Sequence, residues 1–181
     1  VSGERISAIG SFPNKAADQI VDGQGAYISQ GFIEVSAESD HDLSIFQEPD
    51  QQKYLAQGVT TIVCGQGGSS LAPLLYGTLE SIRKWVDPRL NVNWHTVKEF
   101  LSTLEKKPLG VNFATLVGHS TIRRALIGDE LRDLTKNELM VFSGVLERAL
   151  REGGFGLSAG LATAHTKGTS YPEIKTLAKI V

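Results

Sequence analysis

Four short apolar runs recur along the chain, separated by longer segments of mixed character. They cover residues 31–35, 59–64, 111–117 and 156–161, and the second run is β-branched and nearly all apolar. Runs of this length and composition are typical of strands that are buried on both faces of a parallel sheet. The pattern therefore predicts four main strands.

The segments between these runs predict helices, because apolar residues recur in them at spacings of three and four. Three of the helices begin with a Ser or Thr followed by Glu three residues later, at Thr96 with Glu99, Thr135 with Glu138 and Ser170 with Glu173. This pairing is typical of a capped helix start. The other predicted helices cover residues 49–57, 79–86 and 122–126.

Strands and helices alternate along the sequence, which favours βα units and a parallel sheet. Each long helix carries a single apolar stripe, so it covers only one side of that sheet. Four βα units make half of a β/α barrel, which has eight. The fold class predicted is therefore α/β with a partial barrel, and the pattern alone leaves a flavodoxin-like open sheet as the alternative.

The first 30 residues show a different pattern. Residues 5–10 alternate polar and apolar side chains, and residues 19–25 and 26–29 are two further short strand-like pieces. They predict a small β layer ahead of the main fold, and hence two domains, residues 1–30 and residues 31–181. The chain begins like the second half of a hairpin and stops inside a helical pattern, so we expect a fragment of a longer polypeptide.

The composition is that of a globular domain. Of 181 residues, 41% are hydrophobic and 21% are charged, and the net charge is -2. Such a balance gives no basic surface for nucleic acid, and no apolar run reaches the roughly 20 residues that span a bilayer. Cys64 is the single cysteine, which excludes an intramolecular disulfide and predicts a cytoplasmic protein.

Polar side chains follow the first predicted strand, at the end where α/β enzymes bind their ligands. Glu38, Asp40 and His41 lie there. Carboxylate and imidazole groups are acceptable zinc ligands. These three residues are therefore candidate metal ligands, and a polar loop without metal is the alternative.

Other candidates follow the remaining strands. The glycine-rich loop at residues 65–70 either binds an anion through its N–H groups or forms a tight turn. His119 ends the third strand, where it is a candidate for contacting or orienting site groups, the alternative being a histidine held by backbone. His165 lies in the loop after the fourth strand and is a candidate substrate contact, with a solvated loop as the alternative.

Six motifs follow one another in a particular order and spacing. They are Val-Asp-Gly-Gln-Gly at 21–25, Gly-Phe-Ile-Glu-Val at 31–35, Gly-Val-Thr-Thr-Ile-Val at 58–63, Ser-Ser-Leu-Ala-Pro at 69–73, Asn-Phe-Ala-Thr-Leu-Val-Gly-His at 112–119 and Gly-Leu-Ser-Ala-Gly-Leu at 156–161. Together they resemble the amino-terminal part of N-acyl-D-amino-acid deacylases of the amidohydrolase superfamily. The resemblance implies a β/α barrel preceded by a small β-sandwich segment, a zinc site at the carboxyl ends of the strands, and hydrolysis of the amide of an N-acyl-D-amino acid.

Several positions depart from the pattern of that family. Ser36 and Glu38 stand where the resemblance implies histidine ligands, and Gly67 stands where it implies a cysteine ligand. Thr163 stands where it implies a tyrosine facing the substrate, so Thr163 is a candidate substrate contact. We therefore predict that the chain is inactive by itself. The alternative is a catalytically dead homologue that acts as a binding or assembly module, with a second copy or the remainder of a longer chain as its partner.

Overall fold

The computed structural model of the chain describes residues 1–12, 17–76, 92–162 and 166–181. Within them the chain divides into two units, Val1–Gln30 and Gly31–Val181. The strands and helices of the described residues all lie in the second unit. That unit therefore positions every candidate site residue that the structure describes.

The first unit forms no strand among its described residues. Its β-type pairing there is an isolated antiparallel bridge between Ser2 and Arg5. The strands predicted at residues 5–10, 19–25 and 26–29 are therefore wrong. A strand needs a neighbouring strand to bond its N–H and C=O groups, and the described residues of these segments have none and leave their apolar side chains exposed. The assignment of this unit to a β-sandwich stays a prediction.

Parallel strands form the centre of the second unit. They are β1 (Phe32–Glu34), β2 (Val59–Cys64), β3 (Asn112–Thr115), β4 (Val117–Gly118) and β5 (Leu157–Ser158). β2 lies between β1 and β3, β4 pairs with β5, and all of these pairings are parallel. A flavodoxin-like sheet places its first strand between the second and the third, so that alternative is wrong.

The predicted strand at residues 111–117 is divided because it changes its partner. The N–H of Leu116 donates to the carbonyl of Cys64 at 2.9 Å, and the N–H of Val117 donates to the carbonyl of Gly156 at 2.8 Å. The backbone thus turns at Leu116 from the end of β2 toward β5. As a result, β1, β2, the β3–β4 segment and β5 follow one another in sequence order, as consecutive βα units do.

Six α-helices accompany these strands among the described residues. They are α1 (Ser44–Gln47), α2 (Gln52–Leu55), α3 (Val97–Glu105), α4 (His119–Ile127), α5 (Lys136–Arg151) and α6 (Tyr171–Ala178). The helix predicted at residues 79–86 lies outside the described residues. In the part of the chain that the structure describes, none of the helices has both the length and the hydrophobicity needed to cross a membrane.

The helix predicted at residues 49–57 is interrupted by Gln51. This residue has φ 49°, in the left-handed region that a right-handed helix excludes. Its buried side chain donates from Nε2 to the carbonyls of Ser44 at 3.1 Å and Glu48 at 2.7 Å. Gln51 therefore fixes the junction between two short helices, and only α2 corresponds to the predicted one.

Capping boxes begin α3 and α5, as predicted. In α3 the N–H of Glu99 donates to Thr96 Oγ1 at 3.2 Å, and the N–H of Thr96 donates to Glu99 Oε2 at 3.1 Å. The same reciprocal bonds join Thr135 and Glu138, at 3.2 and 2.7 Å. Such a cap contributes about 1 kcal/mol to stability. Ser170, by contrast, makes no side-chain cap bond at the start of α6.

Four aromatic rings form the part of the core that α3 covers. The ring of Phe100 is fully buried, and its centroid lies 5.4 Å from Trp94, 5.9 Å from Phe113 and 6.4 Å from Phe46. The indole of Trp94 donates from Nε1 to the carbonyl of Leu71 at 2.7 Å. Rings packed edge to face or offset in this way bury large apolar areas, so this cluster stabilises α3 against the sheet.

We expect the substitution Phe100→Ala to lower the free energy of unfolding by about 3–5 kcal/mol, because it leaves a cavity among the other three rings. Met140→Ala is the control, since Met140 is 66% exposed on α5. It should change stability by no more than about 0.5 kcal/mol. Urea unfolding followed by tryptophan fluorescence measures both variants. Equal stability of the two variants would contradict the described packing.

Candidate functional site

Asp40 is a buried carboxylate in the turn that follows β1. Its side chain is only 1% exposed. Oδ2 accepts a hydrogen bond from the N–H of Gly65 at 2.8 Å, and Oδ1 accepts one from the N–H of His41 at 2.9 Å. Hydrogen bonds to an ionised acceptor are stronger than those between neutral groups. Asp40 therefore ties the turn after β1 to the end of β2.

Burial disfavours the ionised forms of Asp40 and of its neighbour Cys64. Loss of solvation raises the pKa of Asp40 above its ordinary value, although the charge of His41 and the two N–H donors oppose that rise. Burial also raises the pKa of the Cys64 thiol, and the negative charge of Asp40 raises it further. In the absence of a metal, the neutral thiol is therefore the favoured form of Cys64 at neutral pH.

The three predicted metal ligands do not all converge. His41 Nε2 lies 3.9 Å from Asp40 Oδ2 and 3.2 Å from the carbonyl oxygen of Ser69, whereas Glu38 is exposed. Across the described residues, no group of three or more His, Cys, Asp or Glu side chains could hold a metal ion. A zinc site takes at least three protein ligands, so the donors in this arrangement do not fit zinc. The assignment of Glu38, Asp40 and His41 as ligands stays a prediction.

The glycine-rich loop after β2 uses its N–H groups within the protein. The N–H of Gly68 donates to Ser158 Oγ at 3.2 Å, and the N–H of Ser70 donates to Thr121 Oγ1 at 3.0 Å. The N–H of Gly65 is held by the carboxylate described above. An anion cradle needs such donors to be available to the ligand. The arrangement therefore favours the tight turn over the anion site.

Two side chains brace the strand ends across this loop. Gln66 donates from Nε2 to the carbonyl of Val35, which joins the end of β2 to the end of β1. Ser158, at the end of β5, donates from Oγ to the carbonyl of Gly65. Together with the Asp40 carboxylate, these bonds connect three strand ends through contacts within the protein. We call Asp40, Gln66 and Ser158 the strand-end brace.

His119 is fully buried at the start of α4, with 0% exposure. Its Nε2 lies 2.7 Å from Glu173 Oε1, and its ring stacks on Phe142 with centroids 5.4 Å apart. This burial favours the interpretation in which His119 orients its neighbours, and direct contact with a substrate stays a prediction. Thr163 and His165, the other predicted substrate contacts, lie outside the described residues.

Glu173 and Arg123 are site residues that sequence reasoning missed. The sequence pattern assigns Glu173 to the cap of α6, but in the structure it is 2% exposed and bonded to His119 and to Arg123. The spacing of these residues along the sequence is the signal that could have identified them. Glu173 lies four residues before the buried Leu177, so the two share the inward face of α6, and His119 and Arg123 are likewise four apart on α4.

The chain is similar to curated deacylases over most of its length. It is 34% identical to the D-aminoacylase of Alcaligenes xylosoxydans over 160 residues, which are 88% of this chain and 33% of that protein. It is 33% identical to the N-acyl-D-aspartate deacylase of the same organism over 160 residues, which are 88% of this chain and 32% of that protein. The chain therefore spans about a third of the length of these relatives. No family model matches it.

Solved structures agree with this similarity. A crystal structure of D-aminoacylase, described as defining a subset of amidohydrolases, matches with a TM-score of 0.70 at 29% identity, over 83% of this chain and 31% of that chain. The N-acyl-D-glutamate deacylase of Bordetella bronchiseptica, in complex with zinc and a phosphonate inhibitor, matches with a TM-score of 0.68 at 29% identity over the same shares.

The parallel α/β fold of this chain is similar to that of the D-aminoacylase type of amidohydrolase. More particularly, its homologues are D-aminoacylase and the N-acyl-D-aspartate and N-acyl-D-glutamate deacylases. The resemblance predicted from the six motifs is therefore confirmed.

We expect the Cys64 thiol to be inert toward Ellman's reagent in the folded chain at neutral pH. It is 0% exposed, and burial together with Asp40 raises its pKa, so little thiolate forms. In guanidinium chloride the single cysteine should react completely. A Glu147→Cys variant is the control, because its added thiol lies at an exposed position and should react without denaturant. Rapid native reaction of Cys64 itself would contradict the described burial.

We expect Asp40→Asn to destabilise the chain by about 1–3 kcal/mol, because an amide cannot accept both N–H bonds through two oxygens in a buried site. Asp42→Asn is the matched control, since Asp42 is half exposed and its ion pair with Lys53 lies at the surface. The Asp42→Asn substitution should lower the free energy of unfolding by no more than about 1 kcal/mol. Chemical unfolding compares the two variants, and equal losses would show that the Asp40 bonds add nothing.

Proposed function

We propose that this chain is part of an amidohydrolase of the N-acyl-D-amino-acid deacylase type and that it is catalytically incomplete by itself. The observation that carries the proposal is its 34% identity to D-aminoacylase over 88% of the chain. In this proposal, residues 31–181 form the first half of a β/α barrel and residues 1–30 form part of a small β-sandwich. The substrate of the complete site is a small N-acyl-D-amino acid, and the protein is cytoplasmic.

The order of the strands supports the barrel half. β1, β2, the β3–β4 segment and β5 are parallel neighbours in sequence order, as successive strands of a β/α barrel are. Asp40, Ser158 and His119 follow or end three of these strands. They therefore lie at the carboxyl ends, which is the edge where barrel enzymes bind and convert their substrates.

Zinc is the cofactor that the relatives suggest, since the N-acyl-D-glutamate deacylase structure contains it. When bound, zinc supplies a water with a pKa near 7 and polarises the substrate carbonyl. Of the three predicted ligands, Asp40 and His41 form a pair, with His41 Nε2 3.9 Å from Asp40 Oδ2. A third would be Glu38, whose side chain is exposed. These donors do not fit a zinc site as arranged, which is why we propose that the chain alone does not hold the metal.

The three residues of the strand-end brace have a structural role in this proposal. Both oxygens of Asp40 accept backbone N–H bonds, Gln66 reaches the end of β1, and Ser158 holds the start of the glycine-rich loop. Each bond fixes a strand end that a barrel enzyme uses to present site groups. The chain therefore provides a preformed wall for a substrate site rather than a reacting group.

Zinc content and deacylase activity test the proposal together. We expect the purified chain, equilibrated with zinc and then dialysed against metal-free buffer, to retain much less than one zinc per chain by elemental mass spectrometry. We also expect no D-amino acid to be released from N-acetyl-D-methionine, N-acetyl-D-aspartate or N-acetyl-D-glutamate above the blank without protein. Both results follow from the incomplete donor set among the described residues.

A variant that restores the ligands implied by the family is the matched control. Ser36→His, Glu38→His and Gly67→Cys together introduce the three ligands that the family resemblance implies, and an added Cβ at Gly67 has no heavy atom within 4 Å. The left-handed φ of +65° at that glycine adds about 1–2 kcal/mol of strain. We expect this variant to retain more zinc than the natural chain. Stoichiometric zinc in the natural chain, lost on replacing Glu38, Asp40 or His41, would instead support the predicted ligands and overturn the proposal.

An assembly module is the second candidate function, and exposed apolar side chains on β1 favour it. Phe32 and Ile33 in this strand, and Val35 directly after it, are each 63% exposed. Exposed apolar strands at the edge of a sheet invite pairing with another chain. The mass of the purified chain in solution discriminates the two candidates, because a metal-free dimer or hetero-complex favours the module.

A further inference from the structure

Glu173 is the acceptor at the centre of a buried ionic cluster between α4 and α6. Its Oε1 accepts from His119 Nε2 at 2.7 Å and from Arg123 Nε at 3.2 Å. All three side chains are at most 2% exposed. Because a carboxylate only accepts hydrogen bonds, the proton of the His119 ring that faces it lies on Nε2.

Arg123 extends this cluster to two segments that lie outside both helices. One terminal nitrogen of its guanidinium donates to the carbonyl of Arg132, between α4 and α5. The same nitrogen donates to the carbonyl of Gly168 at 3.2 Å, between β5 and α6. The guanidinium therefore connects a helix, a carboxylate and two backbone segments at once, which its planar fork of donors allows and a single ammonium does not.

Stability alone is a poor reason for a cluster of this kind. A buried Arg–Glu pair is often no more stabilising than an apolar pair of similar volume, because both ions lose their hydration. Here His119 Nδ1 and Glu173 Oε2 are also buried without a hydrogen-bond partner among the described residues, which adds to the desolvation cost. An apolar pair, however, could not bond the carbonyls of Arg132 and Gly168.

We propose that Glu173, His119 and Arg123 form a buried ionic lock that positions residues 166–170 at the carboxyl end of β5. The segment has its own internal turn, in which the N–H of Thr169 donates to the carbonyl of Thr166 at 2.9 Å, and the lock fixes that turn to α4 through Gly168. The three residues are positioning residues. That the positioned segment borders a substrate rests on the proposed deacylase function, whereas the lock itself does not.

Hydrogen exchange of the Thr169 amide tests the lock in three variants. Glu173→Gln removes the charge, and Arg123→Met with Glu173→Leu replaces both ions by apolar side chains. Arg123→Lys keeps the ion pair possible but loses the fork. We expect Glu173→Gln to lower the melting temperature and the double variant to recover most of that loss. In all three, exchange at Thr169 should accelerate at least about tenfold, while exchange within α3 stays unchanged.

The outcomes separate positioning from simple stabilisation. The proposal would be overturned if the double variant recovers its stability and its Thr169 amide still exchanges as slowly as in the natural chain. The fold alone would then hold the segment. If the double variant does not fold, Arg123→Lys decides in the same way, since unchanged protection in that variant also overturns it. Glu147→Gln, which removes an exposed ion pair with Arg151 on α5, is the control and should leave Thr169 exchange unchanged. None of these measurements depends on deacylase activity.

Discussion

The carboxylate of Asp40 holds together the two strand ends on which the candidate site depends. It is buried, and it accepts one N–H from the end of β2 and one from its own turn after β1. A buried charge without such donors costs several kcal/mol, so the turn and the loop must keep their positions for as long as Asp40 stays inside. Through this constraint the polar residues after β1 and β2 are fixed relative to each other.

Hydrogen bonds within the protein engage several polar groups at the strand ends. Burial and the Asp40 charge raise the pKa of the Cys64 thiol, Gln66 donates from the end of β2 to the end of β1, and Ser158 on β5 donates to the glycine-rich loop. The relatives include a zinc-bound deacylase, yet the described part of this chain lacks a group of three metal-binding side chains. The shared fold thus carries a braced site edge here, and the ionic lock at Glu173 extends the same kind of support to the segment after β5.

Local sequence patterns were sufficient to predict the parts of the fold in which local and tertiary preferences agree. The capping boxes at Thr96 and Thr135 and the β-branched strand β2 are of this kind, because each is specified by residues a few positions apart. The break at Gln51 was not predictable in this way, since its left-handed backbone is held by carbonyls earlier in the chain. Strands expected in residues 1–30 failed because a strand depends on a partner that no local pattern reveals.

The location of the candidate site was predictable from the sequence, whereas the roles of its residues were predictable only in part. Asp40 and His119 follow strands, and that position alone pointed to them, whereas their partners Gly65 and Glu173 lie 25 and 54 residues away in sequence. The motif resemblance identified the relatives correctly. It could not show that Glu38 is exposed while Asp40 is buried and bonded, because burial depends on the packed structure.

Anomalous X-ray diffraction at the zinc edge, from crystals of the chain grown with excess zinc, tests the central claim most directly. If the strand-end brace takes the place of metal ligands, no anomalous peak will lie beside Asp40, and its carboxylate will remain bonded to the N–H groups of Gly65 and His41. A zinc peak about 2.0–2.2 Å from oxygen or nitrogen atoms of Glu38, Asp40 and His41 would contradict the account.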